Sequence, residues 1–228
     1  MSAIAPMGKR VYDSCLAQSI KIDLDQGQDI GGVMSIQPDW VKKLSRIKLA
    51  PYICKARALI GVPRKGGDNM FRHQMMTLTI LLDYLVIDSV LLKTAAIHDI
   101  AEDAHGMPWL SRDEIKDVDA EGGQVYDLMM EVTRRLDGNG RKEPKSQFLK
   151  RIMETGSSQA KILKLADRIS NLISLGWVHD RKFVEKILAE TREYILPYSR
   201  EINADMDREL RDLISLREQN LPMIAEAS

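Results

Sequence analysis

Cysteine is scarce in this chain, with only Cys15 and Cys54 among 228 residues. Two cysteines this far apart fit neither a zinc-binding cluster nor a disulfide framework, and they indicate a reducing, intracellular setting. The chain also lacks any run approaching the roughly 20 apolar residues that a membrane span needs, and its first residues contain no apolar signal-peptide core. We therefore expect a soluble, cytoplasmic protein that does not bind membranes.

Aromatic residues are also few, and neither sign of charge predominates. They make up 5% of the chain, and the 33 basic residues are balanced by 33 acidic ones. Balanced charge gives no indication of a general nucleic-acid or membrane-surface binder. Leu, Ile, Met and Ala are plentiful instead, which favours helices over a sheet sandwich.

The apolar residues follow a helical period along most of the chain. No alternating pattern predicts a sheet, and no internal repeat is visible. We predict an all-helical domain over 46–200, an N-terminal extension over 1–45 and a C-terminal helical tail over 201–228. The predicted helices cover 47–60, 75–85, a segment capped by Asp88 or Ser89, a segment capped by Ser111 with Glu114, 122–136, 146–154, 160–175, 181–195 and 202–216.

The segment TAAIHDIAED at 94–103 ends a predicted core helix in a group of polar side chains. If the helix continues, His98 shares a face with Glu102, and Asp99 shares one with Asp103. Unpaired charges are costly to bury, so such an ending indicates either an opening cavity or a capped, solvated helix end. The segment alone leaves both interpretations open.

A metal site needs further ligands, and the chain supplies two candidates. His73 is near the start of one predicted helix and His98–Asp99 near the end of the next, so antiparallel packing would bring them together. Asp167 interrupts the otherwise apolar helix ILKLADRISNL. Alone, His73 would be read as a helix-start histidine and Asp167 as an ion-pair partner of Arg168. As an ordered set, two imidazoles and two carboxylates suit Mn²⁺, Fe²⁺ or Zn²⁺.

Short motifs in this order resemble the HD-domain phosphohydrolases. Within them, the chain is similar to the hydrolase domain of the RelA/SpoT-type alarmone enzymes, in the form of a free-standing small alarmone hydrolase. The resemblance covers roughly residues 50–198. Its motifs are RKGG at 64–67, HDIAED at 98–103, EVTRRL at 131–136, KLADRISNL at 164–172 and ETREYILP at 190–197.

The resemblance implies an activity and a role for each site residue. The expected reaction is Mn²⁺-dependent removal of the 3′-pyrophosphate of (p)ppGpp, which gives GDP or GTP and pyrophosphate. Glu102 and Asp103 would orient and deprotonate the attacking water. The implied Mn²⁺ ligands are His73, His98, Asp99 and Asp167, and the implied substrate-binding residues are Arg64, Lys65, Lys164, Asn171 and Ser174.

The sequence departs from the family pattern at a few places. Gln74 stands where a Pro is usual and Ala104 where a Thr is usual, and Leu59 and Val62 replace a His and a Gln. None of these is an expected ligand or base. We expect them around the mouth of the site, where they leave the choice of nucleotide open.

Other functions remain open on the sequence alone. The chain could be an HD-domain phosphohydrolase for another nucleotide, such as an adenosine alarmone, NADPH or a nucleoside phosphate, or a non-catalytic alarmone binder. We expect too little chain after residue 200 for a synthetase domain. A hydrolase of this kind could counter a separate toxic alarmone synthetase. The oligomeric state is not predicted, and a homo-oligomer is left open.

Overall fold

The computed structural model describes residues 38–66, 68–103 and 111–224. Within these ranges the chain is helical and contains no strand, which confirms the all-α prediction. Short 3-10 turns cover Arg57–Leu59, Leu175–Trp177 and Leu221–Met223, and a π-helical turn covers Arg151–Thr155. The α-helices are α1 (Asp39–Ser45), α2 (Ala50–Ala56), α3 (Met70–Asp83), α4 (Ser89–Ile97), α5 (Ile100–Asp103), α6 (Arg112–Lys116), α7 (Gly122–Glu131), α8 (Lys145–Lys150), α9 (Ser158–Ser174), α10 (Arg181–Tyr194), α11 (Leu196–Ile202) and α12 (Ala204–Asn220).

Helix α9 is the main packing partner of the helices that carry the site. It begins at a serine cap, where Ser157 Oγ accepts a hydrogen bond from the Ala160 N–H at 3.1 Å. Its apolar residues include Leu165 and Ile169, which are fully buried. It packs against both α3 and α12. Burial of each such side chain contributes about 1.5–3 kcal/mol, so these residues hold α9 within the core.

Helices α3 and α4 pack against each other and bring the two motif histidines together. Asn69 caps the start of α3 by accepting from the Arg72 N–H, and Asp88 caps α4 by accepting from the Leu91 N–H. The Asp88 cap was predicted from the sequence. Because His73 lies in the first turn of α3 and His98 follows the last residue of α4, their ring centroids are only 5.3 Å apart.

The helix that enters the segment 94–103 does not continue through it without interruption. Helix α4 ends at Ile97, His98 and Asp99 form a turn, and the short α5 begins at Ile100. The Ala95 carbonyl, which would accept from the Asp99 N–H in an uninterrupted helix, accepts from His98 Nδ1 at 2.9 Å. The condition under which Asp99 and Asp103 would share one helix face is therefore not met.

A buried lysine joins α4 to the segment before α7. Lys93 is 3% exposed, and its Nζ lies 2.7 Å from Asp119 Oδ2 and also contacts Glu121. Tyr52 in α2 donates a hydrogen bond to the same Asp119 at 3.0 Å. Burial lowers the pKa of Lys93, but its hydrogen bonds to the two carboxylates outweigh burial and raise that pKa. The lysine thus stays charged inside the fold.

We expect Lys93→Ala to lower the free energy of unfolding by about 3 kcal/mol, because it leaves Asp119 without its charge partner. Chemical denaturation measures the loss. Lys42→Ala is the control, since Lys42 forms only an exposed pair 3.9 Å from Asp39. It should change stability by less than about 0.5 kcal/mol. Equal losses in both variants would contradict the structural role of Lys93.

The ends of the chain bear on the predicted domain limits. Residues 1–37, which form most of the predicted extension, lie outside the described part of the structure. So do residues 225–228 at the end of the predicted tail. Helix α1 falls within the predicted extension, and α12, in the predicted tail, packs on α9 and α11. The limits at 45 and 200 remain a proposal.

Among the described helices, none is both long and apolar enough to cross a membrane.

Candidate metal and nucleotide site

Three side chains meet where α3 packs on the junction of α4 and α5. Each of His73, His98 and Asp99 offers a ligand atom, and these atoms all lie within 4.8 Å of one another. Asp99 Oδ2 is 3.4 Å from Nε2 of each histidine. Both imidazoles are almost wholly buried. This group has the donor types and spacing to hold a divalent metal ion.

The tautomer of His98 shows how well the group fits a cation. Its Nδ1 must donate to the Ala95 carbonyl, because a carbonyl oxygen can only accept. A neutral His98 therefore presents a lone pair at Nε2, which is buried without a hydrogen-bond partner. That lone pair faces carboxylate oxygens of Asp99 and Asp167, at 3.4 and 3.8 Å. A metal ion would give the Nε2 atom and these carboxylates a common partner, and backbone orientation of the second ring nitrogen is typical of metal-ligating histidines.

Asp167 contacts the same group from α9. Its Oδ1 lies 2.9 Å from His73 Nε2 and its Oδ2 lies 2.8 Å from Lys164 Nζ. It does not belong to the set whose ligand atoms are all within 4.8 Å of one another. Arg168, which the sequence offered as an ion-pair partner for Asp167, instead lies 3.8 Å from Glu190. Asp167 is thus in place beside the metal group, and its role as fourth ligand stays a prediction.

The charges in this group shift the pKa values of its members. Burial raises the pKa of Asp99, but the neighbouring His98 and His73 outweigh burial and hold that pKa below its ordinary value. Burial likewise raises the pKa of Asp167, yet Lys164 and the histidines hold it well below its usual range. For His73, burial lowers the pKa and the hydrogen bonds to Asp167 and Asp99 raise it, with a net rise. Because an imidazole binds a metal only in its neutral form, protonation of His73 competes with the metal, and we expect acid to weaken metal binding.

Glu102 lies one turn after Asp99 and is held by the main chain. Its Oε1 accepts a hydrogen bond from the backbone N–H of Arg134 at 2.9 Å, and its Oε2 is 3.6 Å from Lys142 Nζ. The carboxylate is 20% exposed. It is thus oriented and still open to water. Asp103 ends α5, and its side chain lies outside the described part of the structure.

The loop that supplies the Arg134 N–H is fixed by Glu143. The Glu143 carboxylate accepts two hydrogen bonds from Arg151, at 3.0 and 2.8 Å, and its carbonyl accepts from the Arg134 guanidinium. Arg151 also donates to the carbonyls of Glu131 and Thr133. Hydrogen bonds from Arg151 are the main reason that the pKa of Glu143 is lowered. This bidentate pair holds both ends of the loop together.

The predicted nucleotide-binding residues converge beside the metal group. Arg64 donates to Asn171 Oδ1 at 2.6 Å and pairs with Asp68 at 3.0 Å. Asn171 in turn donates to Asp167 Oδ1 at 2.8 Å, and Ser174 donates to Asp68 at 3.3 Å. A single hydrogen-bonded chain therefore connects Arg64 to Asp167, and Asp167, Asn171 and Ser174 lie on one face of α9.

A cavity of about 290 Å³ lies against these residues. The ammonium of Lys65 is 4.8 Å from the centre of the Phe183 ring and 3.6 Å from Asp180. Polar groups from the RKGG segment and α9 face aliphatic and aromatic groups, the mixture found in small-molecule sites. The lining residues are Pro63, Arg64, Lys65, Gly66, Met70, Asn171, Ser174, Leu175, Phe183 and Ile187.

The structure bears on several further expectations about this site. Lys164 is only 5% exposed and is paired with Asp167, so its ammonium orients that carboxylate, and its role in substrate binding stays a prediction. Leu59 and Gln74 were expected around the mouth, but both are fully buried and neither lines the cavity. Leu59 packs in the apolar core, as its side chain favours. Ala104 lies outside the described residues.

Sequence reasoning missed several residues of the site. Phe183 has no motif signal, since its place beside Lys65 depends on how α10 docks. Ser170 shares a hydrogen bond with His73 Nδ1 at 2.8 Å. Its spacing of three residues from Asp167 could have indicated that it lies on the same helix face. The Arg134 N–H is a main-chain group, and the sequence carries no signal for it.

One solved structure that is similar to this chain is described as a metazoan orthologue of SpoT that hydrolyses ppGpp and plays a role in starvation responses. The two chains are 23% identical, and the match covers 75% of this chain and 95% of that chain, with a TM-score of 0.59. At this identity the likeness is one of fold. No protein-family model and no curated protein matches the chain.

Proposed function

We propose that this protein is a metal-dependent phosphohydrolase that removes the 3′-pyrophosphate of ppGpp and pppGpp. The products are GDP or GTP and pyrophosphate. The observation that carries the proposal is the buried group of His73, His98 and Asp99, with its unpartnered Nε2, next to a cavity of about 290 Å³ that is lined by basic, polar and apolar residues. The fold neighbour that hydrolyses ppGpp supports the same substrate class.

The donor set fits a divalent ion, with Asp167 as the fourth protein ligand. Two imidazoles and two carboxylates make a mixed nitrogen and oxygen set, and we propose Mn²⁺ as the physiological ion. When bound there, such an ion supplies a Lewis acid and lowers the pKa of water toward about 7.

The chain's own groups perform the remaining tasks. Glu102 accepts the proton of the attacking water, and Arg134 and Lys142 hold its carboxylate in position. Asp103, the next acidic residue, assists it. The cavity seats the nucleoside, with Arg64 and Lys65 at the base and phosphates, Asn171 at the ribose and Ser174 beside it. Lys164 keeps Asp167 charged and adds positive charge near the pyrophosphate.

A turnover assay tests the proposal directly. Purified protein with Mn²⁺ is offered ppGpp, pppGpp, their adenosine analogues and NADPH, and the products are separated by anion-exchange chromatography. We expect GDP or GTP with pyrophosphate from the guanosine substrates, and no product after chelation of the metal. Turnover of ordinary nucleotides alone, or turnover that persists in chelator, would contradict the proposal.

The choice among alarmones depends on the cavity wall. Phe183 and Ile187 are apolar and suit either purine. For this reason the adenosine alarmones and NADPH are the second candidate substrates, and the assay above ranks them. A non-catalytic alarmone binder would need no residue placed like Glu102, and binding without turnover in the same assay would identify it.

A cellular role follows from the proposed reaction. A cytoplasmic hydrolase of ppGpp would counter a toxic alarmone synthetase and act in the stringent response. Co-expression with such a synthetase tests this role, and we expect growth to recover with the parent protein and not with Glu102→Gln. Continued growth arrest with active parent protein would contradict the role.

A further inference from the structure

Helix α9 contacts both nitrogens of the His73 ring. Asp167 Oδ1 lies 2.9 Å from Nε2, and Ser170 Oγ lies 2.8 Å from Nδ1. The two residues are three positions apart on α9, so they face the imidazole from the same side of that helix. Ser170 is fully buried and His73 is 1% exposed, so bulk water does not compete for either contact. The partners on α9 therefore decide how this ring is oriented and where it carries its proton.

The two histidines of the metal group differ in the group that holds Nδ1. For His98 that group is a carbonyl oxygen, which only accepts, so Nδ1 carries the proton and Nε2 has the lone pair that a metal needs. For His73 it is the hydroxyl of Ser170, which can either donate or accept. His98 is thus fixed in one tautomer by its partner, and His73 is not.

The partner of Nε2 decides the tautomer of a neutral His73. An ionised carboxylate only accepts, so the contact with Asp167 Oδ1 requires the proton on Nε2. Nδ1 then has a lone pair and accepts a hydrogen bond from the Ser170 hydroxyl. Ligation of a metal through Nε2 needs the opposite arrangement, in which Nδ1 carries the proton and donates it to Ser170. A hydroxyl satisfies both arrangements by rotation, whereas an alanine would leave a buried N–H unpaired.

We propose that Ser170 is a positioning residue of the metal site, whose hydroxyl changes from donor to acceptor when a metal binds to Nε2 of His73. The ring keeps a hydrogen bond at Nδ1 in both states, so it keeps its orientation while its proton moves from one nitrogen to the other. No net proton leaves a neutral ring in this step. The role rests on the metal binding that the proposed function requires, and it does not depend on which nucleotide is the substrate.

Calorimetric titration with Mn²⁺ alone tests this role in the full chain and three variants. Ser170→Ala removes the hydroxyl, Ser170→Thr keeps it, and Ser158→Ala is the control, since Ser158 is an exposed serine on the same helix. We expect Ser170→Ala to weaken Mn²⁺ binding by about 10–100-fold, the usual effect of losing an outer-shell partner of a metal ligand. Ser170→Thr should keep most of the affinity, and Ser158→Ala should match the parent.

The tautomer of His73 provides a second measurement, which a merely structural role of Ser170 would not affect. The chain has four histidines, so ¹H–¹⁵N correlation spectra can follow each ring nitrogen. At mildly alkaline pH without metal, we expect the proton of His73 on Nε2, and addition of diamagnetic Zn²⁺ should move it to Nδ1. His98 should keep its proton on Nδ1 in both samples.

Specific outcomes would overturn the inference. One is a Mn²⁺ affinity of Ser170→Ala within about twofold of the parent, or an equal loss in Ser158→Ala. Another is a Ser170→Thr protein that matches the parent in Tm without metal and still loses as much affinity as Ser170→Ala. A parent protein whose His73 carries a proton on Nδ1 before metal is added would overturn the change from donor to acceptor. Mn²⁺ binding that depends on Ser170 in a protein without ppGpp turnover would uphold the inference while it contradicts the proposed function.

Discussion

Glu102→Gln is expected to lose nearly all turnover of ppGpp while it keeps its metal. The substitution keeps the hydrogen bond from the Arg134 N–H, since an amide oxygen also accepts, but it removes the group that takes the proton of water. General-base catalysis contributes about 10²–10⁴-fold in rate, and kcat should fall by that factor. Single-turnover kinetics at saturating Mn²⁺ measures it.

The control for this prediction is Glu201→Gln. Glu201 is an exposed glutamate in α11, on a different helix from the loop that holds Glu102, so kcat should match the parent. Calorimetric titration with Mn²⁺ should give the same affinity for Glu102→Gln and the parent, because Glu102 is not among the metal-ligating group. A Glu102→Gln enzyme that retains more than about a tenth of the parent rate would refute the assignment of the base.

His98→Asn is expected to abolish both metal binding and activity. It removes the unpartnered Nε2 that faces Asp99 and Asp167. Loss of an outer-shell partner alone costs about 10–100-fold in metal affinity, so loss of a ligand should exceed 100-fold.

Thermal unfolding with and without Mn²⁺ measures this effect. A ligand that binds only the folded state raises Tm, so Mn²⁺ should raise the Tm of the parent and leave that of His98→Asn unchanged. His179→Asn is the matched control, because His179 is an exposed histidine outside the group, and it should respond to Mn²⁺ as the parent does. The same rise in Tm for the parent and for His98→Asn would show that the metal binds elsewhere.

The helices were predictable where a strong apolar period met a side-chain cap. Asp88 before α4 and Ser111 before α6 both accept hydrogen bonds from the first helical turn, as their residue types and positions predicted. The break at His98 was not predictable from spacing. It depends on the side chain of His98, which donates a hydrogen bond to the Ala95 carbonyl of the preceding helix. The helical period of apolar residues carries no information on whether this hydrogen bond forms.

Some residues of the site were predictable from the sequence and others were not. The meeting of His73 with His98 and Asp99 was predicted, because consecutive antiparallel helices bring the end of one beside the start of the other. The neighbours Phe183 and Glu143 were not, since each comes from an element whose docking is decided by tertiary packing. Motifs identify side chains that act through local spacing, and they do not report on groups that are brought in from distant segments.

The hydrogen bond from the Arg134 N–H to Glu102 has a consequence for how this chain can vary. Every amino acid except proline carries a backbone N–H, so the contact to Glu102 does not itself require an arginine at position 134. The constraint falls on the groups that hold the loop in place, which are the Arg134 guanidinium and the Glu143–Arg151 pair. Glu143 and Arg151, two residues outside every recognised motif, thus help to hold the proposed base in position.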